Sequence, residues 1–318
     1  MSTGARTVVI ALGGNALAPA GERATVANQF RHTRESLAPV VELARQGWRI
    51  ALVHGNGPQV GDELARNELA AGDVEPLPLG VLVAETAGWI GYMIQQSLQN
   101  ALARAGLARD VVTVITQTVV HADDPRLGRP DKPIGHVLSA ARRHSLESRG
   151  VAVADAAGGG ARRLAASPKP VGIVERAVVR RLVDAGVIVV AAGGGGPPVY
   201  RDETLGWEGV DAVVDKDRTA AILASELDAE LLMILTDVDA VYRDWGTPRQ
   251  APLRRLTLTQ AEALLAGGGL ASGSMRPKVE AAVLFVRGGG RRAVIAKLES
   301  GPAALTGASG TTIVPEEP

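Results

Sequence analysis

The chain has 318 residues, in which 34 Lys and Arg side chains balance 34 Asp and Glu side chains, so its formal net charge is zero. This balance argues against nucleic-acid binding through bulk charge, and the lack of cysteine excludes disulfides, thiolate metal sites and a cysteine nucleophile. Since no stretch approaches the ~18 apolar residues of a membrane span, we expect a cytoplasmic protein without a membrane partner.

Short runs rich in β-branched residues alternate along the chain with helical patterns. Most of these runs are apolar throughout, which is typical of buried parallel strands, and the alternation predicts a three-layer α/β/α sandwich with a mostly parallel sheet. Pro39 should kink or split the first helix. The predicted strands are 7–12, 49–53, 111–116, 187–192, 231–236 and 292–296, and the predicted helices are 26–45, 58–70, 81–105, 173–184, 216–227, 257–265 and 277–287.

Residues 121–170 interrupt the alternation. They contain few strong apolar runs and several prolines, which predicts a small protruding lid subdomain. No internal repeat or long low-complexity linker divides the rest, so we expect residues 1–318 to form a single domain.

Glycine-rich loops follow three of the predicted strands. Ligands of open α/β sheets bind at the carboxyl ends of strands, where glycine lets backbone N–H groups approach an anion. A simple turn or a flexible connector is the alternative for each loop alone. The loop residues are Gly13, Gly14 and Asn15, then Gly55, Asn56 and Gly57, and finally the run Gly193, Gly194, Gly195 and Gly196.

Lysine is scarce, with five residues against 29 arginines. Lys216 lies between Asp215 and Asp217 at the start of a predicted helix, and a lysine held by carboxylates can neutralise a phosphoryl group during transfer. A solvated charge run at a helix start is the alternative interpretation. Lys132 and Lys278 also lie beside Pro and Gly turns, whereas Lys169 and Lys297 are interpreted as inert surface lysines.

Residues 236–242, TDVDAVY, follow another apolar strand. Polar groups at a strand end, followed by an apolar residue and Tyr242, could line a nucleoside pocket. A capped turn fits the same residues equally well.

Several motifs are absent from the sequence. It has no Walker A pattern, no dinucleotide fingerprint and no GxSxG elbow, and its five histidines lack metal-ligand spacing. P-loop, Rossmann, hydrolytic and zinc mechanisms therefore lose support, and no metal site made by the protein itself is predicted.

Taken together, the motifs resemble those of the carbamate kinases within the amino acid kinase family. The HGNGPQVG string at 54–61 and the GSMRPK string at 273–278 are the most specific, and the likeness runs in order from about residue 7 to 314. The other matching segments are 9–17, 132–135, 193–196, 215–217 and 235–239.

The resemblance implies a mostly parallel sheet of about eight strands with a protruding subdomain, and a homodimer. It also implies reversible phosphoryl transfer between carbamoyl phosphate plus ADP and carbamate plus ATP, with Mg²⁺ carried by the nucleotide. The N-terminal part would bind carbamate and phosphoryl groups, and residues 211–318 would bind the nucleotide.

Roles for single residues follow from the same resemblance. The catalytic residues would be Lys132, Lys216, Asp217 and Lys278. The substrate-binding residues would be Gly13, Gly14, Asn15, Gly55, Asn56, Gly57, Gly194 and Gly195. The nucleotide-binding residues would be Asp215, Thr236, Asp237, Val238, Tyr242, Met275 and Pro277.

Two positions depart from the family pattern. Residues 155–163 replace an Asp-Ala-Gly-Arg-Gly-Trp-Arg run with a longer segment that lacks Trp, and Arg218 replaces a usual apolar residue. Two alternatives stay open, namely a family kinase for another small carboxylate or phosphonate and, suggested only by the altered 155–163 segment, a catalytically silent nucleotide sensor.

Overall fold

The computed structural model describes residues 6–14, 17–19, 22–156, 159–267, 270 and 275–316. In its first half the elements are β1 Thr7–Leu12, α1 Val26–Glu35, α2 Ala38–Arg45, β2 Arg49–His54, α3 Gly57–Ala70, α4 Leu79–Arg104, β3 Val111–Thr113, β4 Thr118–Val119, β5 Lys132–Leu138, α5 Ala140–Glu147, β6 Val153–Asp155 and β7 Ala161–Ala165. They continue with β8 Gly172–Ile173, α6 Arg176–Asp184, β9 Ile188–Val190, β10 Pro198–Asp202, β11 Gly206–Gly209, α7 Lys216–Glu226, β12 Leu231–Thr236, β13 Val241–Arg243, β14 Ala251–Leu253, β15 Arg255–Thr257, α8 Leu258–Ala266, α9 Met275–Arg287, β16 Arg292–Lys297, α10 Gly301–Leu305 and β17 Thr311–Val314.

The central sheet has eight strands in the order β15-β17-β16-β12-β1-β2-β9-β3. Its strand pairs are all parallel except β16 with β17. Strands β17 and β15, at one edge, therefore run opposite to the other six. This arrangement confirms the prediction of a mostly parallel, eight-stranded sheet between helical layers.

Aliphatic side chains bury both faces of this sheet. On β1, Val9 and Ala11 pack into one cluster and Val8, Ile10 and Leu12 into the other. All five are 0% exposed, because successive side chains of a strand point to opposite faces and helices cover both. The sheet edge is thereby a rigid base for the loops that follow its strands.

The predicted first helix is split in the structure. Helix α1 ends at Glu35 and α2 begins at Ala38, with Pro39 in its first turn. Pro39 has no N–H to donate to the carbonyl four residues earlier, so a continuous helix would lose that bond. Two predicted strands are also shorter than expected, since β3 ends at Thr113 and β9 at Val190.

A separate small sheet protrudes from the main one. We call residues 132–165 the lid; they form the antiparallel sheet β5-β7-β6 and helix α5. Strands β4 and β8 flank this segment in sequence and pair with each other. The chain therefore leaves and returns at one place, beside the carboxyl edge of the central sheet.

In the part of the chain that the structure describes, none of the helices has the length and apolar composition of a membrane span.

Candidate active site

The glycine loops meet because their strands end at the same level. Leu12 of β1 lies opposite His54 of β2 and Leu235 of β12. The loops then pack so closely that a Cβ on Gly55 would lie 3.0 Å from the nitrogen of Gly14. Only residues without a side chain allow this approach, and the N–H groups of Gly13 and Gly55 donate to the carbonyls of Leu235 and Leu12.

The tetraglycine run approaches the same loops from β9. Gly194 has φ +70°, and a Cβ there would lie 2.2 Å from the side-chain nitrogen of Asn56. Asn56 is buried, and its amide donates a hydrogen bond of 2.9 Å to the hydroxyl of Thr86. Glycine is therefore required at this position, because the backbone passes too close to the Asn56 amide to carry a side chain. A flexible connector would not need glycine for this reason.

A central cavity of about 840 Å³ opens between these loops, the lid and the starts of α7 and α9. Most of the predicted site residues line it. They are Gly13, Gly14, Gly55, Asn56, Gly57, Lys132, Gly194, Asp215, Lys216, Asp217, Thr236, Asp237, Pro277 and Lys278.

Other predicted residues lie elsewhere. Gly195 is buried behind the cavity wall, where its carbonyl accepts hydrogen bonds from Thr118 and Thr219. Val238, Tyr242 and Met275 are not part of the wall. Asn15, together with 271–274 of the GSMRPK region, lies outside the described residues.

Two lysines share one carboxylate at the cavity wall. Asp217, whose side chain is 4% exposed, accepts from Lys216 Nζ at 2.5 Å and from Lys278 Nζ at 3.2 Å. Lys216 lies in the first turn of α7 and Lys278 in that of α9, so two helices bring their ammonium groups together through Asp217. Both side chains are largely buried, and their donors are fixed rather than free in solvent.

Asp215 has a different role from its neighbour. Its side chain caps α7 by accepting from the backbone N–H groups of Asp217 and Arg218, and its other oxygen accepts from Lys132 Nζ at 2.9 Å. One carboxylate therefore fixes the start of α7 and also holds the lysine of the lid over the cavity.

Burial and neighbouring charges lower the pKa values of both Lys216 and Asp215, for different reasons. Burial lowers the pKa of Lys216, and the like charge of Lys278 adds to this effect, while Asp217 opposes it. Burial alone would raise the pKa of Asp215, but Lys132 and Lys216 outweigh it and hold that pKa well below its usual range. Asp215 is therefore ionised at neutral pH, and the site presents positive charge beside two fixed carboxylates.

His54 is a buried group immediately behind the loops. Burial lowers its pKa to about 4, so the ring is neutral at pH 7. Its Nδ1 lies 3.0 Å from the carbonyl oxygen of Gly55, and its Nε2 has no hydrogen-bond partner among the residues that the structure describes. A neutral ring here adds no charge next to Lys216.

The cavity wall also contains charged residues that the sequence did not single out as functional. Lys169 is exposed and lies in the wall, and its interpretation as an inert surface lysine stays a prediction. The other unpredicted charged residues of the wall are Arg126, Asp131, Asp155, Arg162, Arg218 and Glu280.

Comparisons with known proteins match this architecture. The sequence profile of the amino acid kinase family matches residues 6–297. The chain belongs to the amino acid kinase family. It is 42% identical to the carbamate kinase of Pyrococcus horikoshii and 45% identical to that of Halobacterium salinarum, with 97% of this chain covered in both cases and 99% and 98% of those relatives.

A solved structure of this family superposes over almost the whole chain. The carbamate kinase of Giardia lamblia bound to citric acid gives a TM-score of 0.93 at 36% identity, covering 99% of this chain and 100% of that one. The same enzyme bound to AMP-PNP gives a TM-score of 0.90. The structural similarity to this family member therefore includes the arrangement of the sheet, the lid and the loops.

Proposed function

We propose that this family member is a carbamate kinase, which transfers a phosphoryl group reversibly between carbamoyl phosphate plus ADP and carbamate plus ATP. The observation that carries the proposal is the buried carboxylate of Asp217, which holds Lys216 and Lys278 at the wall of a cavity edged by glycine loops. The relatives that match the chain end to end and are named carbamate kinases support the choice of substrate.

In the proposed reaction, a terminal phosphate oxygen of ADP attacks the phosphorus of carbamoyl phosphate. The bond from that phosphorus to the carbamate oxygen breaks, and the electron pair leaves with carbamate. Such transfers need positioning and charge stabilisation rather than a protein nucleophile. Lys132, Lys216 and Lys278 would stabilise negative charge on the transferring group, while Asp217 positions two of them.

Substrate positions follow the two sides of the cavity. We place the carbamoyl group against the glycine loops at 13–14 and 55–57, and the nucleotide against residues 211–318, where Thr236, Asp237 and Pro277 line the wall. The Giardia enzyme was solved with AMP-PNP, which supports nucleotide binding on this fold. Val238, Tyr242 and Met275 remain proposed nucleotide neighbours from outside the wall.

We propose that a magnesium ion arrives with the nucleotide instead of being held by a cage of protein side chains. Among the described residues, no three acidic or histidine side chains gather into a metal cage, and Asp215 and Asp217 are already engaged by lysines. Mg²⁺ commonly takes one or two carboxylates together with substrate phosphates and water. When bound, it would neutralise phosphate charge, and the exposed carboxylate of Asp237 in the wall would be a candidate ligand.

We further propose that the protein is a homodimer. Val81, Gly88 and Tyr92 recur at helical spacing on one outward face of α4, and Ile115 packs beside Gly88. The exposed fractions of Val81, Tyr92 and Ile115 are 48%, 55% and 43%, so this face exposes apolar side chains, with Glu85 as a charged residue among them, and a second copy would cover it. Sedimentation should give twice the chain mass and Tyr92→Glu should lower it, whereas a monomeric parent would contradict the proposal.

A substrate panel tests the proposed reaction. ATP formation from ADP should have a kcat/KM at least about tenfold higher with carbamoyl phosphate than with acetyl phosphate. A larger acyl phosphate that outperforms carbamoyl phosphate would instead favour a family kinase with another acceptor. Tight ADP binding without any transfer would favour a nucleotide sensor.

A further inference from the structure

Three arginines of the lid converge on a single carboxylate of the main body. Glu68 of α3 accepts hydrogen bonds from Arg142 and from Arg163, the latter at 2.5 Å, and Arg149 lies 3.6 Å from the same carboxylate. The side chain of Glu68 is 16% exposed. Partly buried, charge-assisted contacts of this kind are stronger than pairs in solvent.

The other lid-to-body ion pairs are weaker or serve the cavity directly. His136 and Asp62 are 3.2 Å apart, but their side chains are 55% and 36% exposed. The pair of Lys132 with Asp215 lies at the cavity itself. Among the described residues, Glu68 is therefore the partly buried carboxylate of the main body that binds the lid at a distance from the reacting groups.

A mechanical link connects Glu68 to Lys132. Arg163 of β7 is the cross-strand partner of Ile134 in β5, and Lys132 pairs two positions further along the same ladder. Ile134 is buried in a cluster with body residues. Fixing Arg163 therefore fixes the end of the small sheet from which Lys132 extends over the cavity.

The backbones of lid and body touch at one nearby point. A Cβ on Gly61 would lie 2.0 Å from the Cα of Gly135. Gly61 and Glu68 are seven residues apart on α3, so they lie about two turns apart on the same face. On this face of α3, the lid backbone crosses closely at Gly61 and the lid arginines bind Glu68. These two contacts together define the angle of the lid.

We propose that Glu68 is a positioning residue for the reaction, acting through the lid on Lys132. The inference rests on the proposed function, since Lys132 matters only if it contacts the transferring group. When Glu68 loses its charge, the lid should sample positions in which Lys132 has left the cavity. Substrate binding would then have to supply the ordering that Glu68 now provides.

Steady-state kinetics of Glu68→Gln test this role. The KM for carbamoyl phosphate should rise about tenfold, the equivalent of one lost charge-assisted hydrogen bond, while kcat at saturation changes less than about threefold. Glu68→Asp, which keeps the charge, should recover most of the effect. The matched control is Glu147→Gln, because Glu147 pairs with Arg143 inside the lid and not with the body.

A double-mutant cycle separates positioning from simple destabilisation. In a Lys132→Ala background, Glu68→Gln should change the KM less than about twofold, because the group through which it acts is gone. An undiminished tenfold effect in that background, or a parent-like KM in Glu68→Gln itself, would overturn the proposal.

Hydrogen exchange keeps the test independent of the reaction. Without substrate, amides of residues 132–165 should exchange faster in Glu68→Gln than in Glu147→Gln and the parent. Equal exchange rates would contradict the claim that Glu68 holds the lid. If the parent protein makes no ATP from carbamoyl phosphate, the proposed function fails while the exchange comparison still decides whether Glu68 holds the lid. If Glu68→Gln does not fold, Arg149→Gln, which removes the outermost contact, takes its place with a smaller change in the same direction.

Discussion

Asp217 is the residue on which the geometry of the site depends most. It is buried, and each of its two oxygens accepts from a different lysine. Without its charge, the ammonium groups of Lys216 and Lys278 would repel each other in a poorly solvated place. Each would then move away or lose its proton, and either change removes a positive charge from the cavity.

Asp217→Asn keeps the shape of the side chain and removes its charge. We expect kcat to fall on the order of 10²-fold or more, as when a preorganised donor of the transition state is lost. We also expect the free energy of unfolding to fall by about 3 kcal/mol, because buried charges lose their partner. Initial rates and urea titrations measure these effects, with Asp184→Asn, an exposed pair of Arg49, as the control; parent-like rates in Asp217→Asn would contradict the assigned role.

His54 makes the stability of the fold depend on pH. Its folded pKa of about 4 lies below the ordinary value of 6.5, because burial disfavours the charged ring. Between these two values the unfolded chain binds a proton that the folded chain does not, so this group's stabilisation is complete above pH 6.5 and is lost as pH falls toward 4. The loss amounts to about 3 kcal/mol.

Denaturant unfolding at several pH values between 4 and 7.5 measures this slope. The difference in unfolding free energy between the parent and His54→Gln should shrink toward acid by about 3 kcal/mol, since the glutamine side chain does not titrate and the other groups are common to both proteins. A constant difference across that range would mean that His54 is charged or hydrated in the folded protein.

At the scale of elements, the crossing of α3 and β5 sets the distance between lid and sheet. Gly61→Ala would force the two backbones apart, because the new Cβ would overlap the Cα of Gly135. We expect a loss of stability of about 1–3 kcal/mol and a higher KM for carbamoyl phosphate, since Lys132 is carried outward with β5. Thermal unfolding and initial rates measure both.

Gly72→Ala is the matched control for this crossing, because a Cβ at Gly72 meets nothing within 4 Å and its φ is not positive. Gly72→Ala should behave like the parent in both measurements. Equal behaviour of the Gly61 and Gly72 variants would show that the crossing does not position the lid.

The elements show where sequence patterns are sufficient. The continuous apolar runs at 7–12 and 231–236 predicted the strands without error, because a strand buried on both faces leaves no other periodicity. The lid contacts could not be predicted, since Glu68 and Arg163 lie 95 positions apart and nothing local distinguishes them from surface charges. Long-range pairs of this kind exist only once the chain has folded.

The same limit applies to the site. The glycine loops and Lys216 were predictable because strand ends and a rare residue type mark them in the sequence. Tyr242 was predicted to lie near the nucleotide, and this stays a prediction; in the structure it donates to Asp239 at 2.7 Å and packs against Trp245. Arg218 pairs with Glu280 at 2.7 Å across α7 and α9, which accounts for a charge at a usually apolar position.

For the whole molecule, the central claim is that a parallel sheet, two helix starts and a lid bring four of the five lysines to one cavity and that carboxylates hold three of them, Lys132, Lys216 and Lys278. The net charge of zero hides this local concentration, which small anionic substrates would experience at close range. Asp215 and Asp217 hold these lysines in place before any substrate binds, so little reorganisation is needed during transfer.

The most direct test is the rate of ATP formation from ADP, carbamoyl phosphate and Mg²⁺ by the parent, Lys216→Ala and Lys297→Ala. Lys297 is an exposed lysine that pairs with Glu299, so its variant controls for loss of a positive charge elsewhere. We predict turnover in the parent and in Lys297→Ala, and a kcat lower on the order of 10²- to 10³-fold in Lys216→Ala. No turnover in the parent, or equal rates in the parent and Lys216→Ala, would contradict the account.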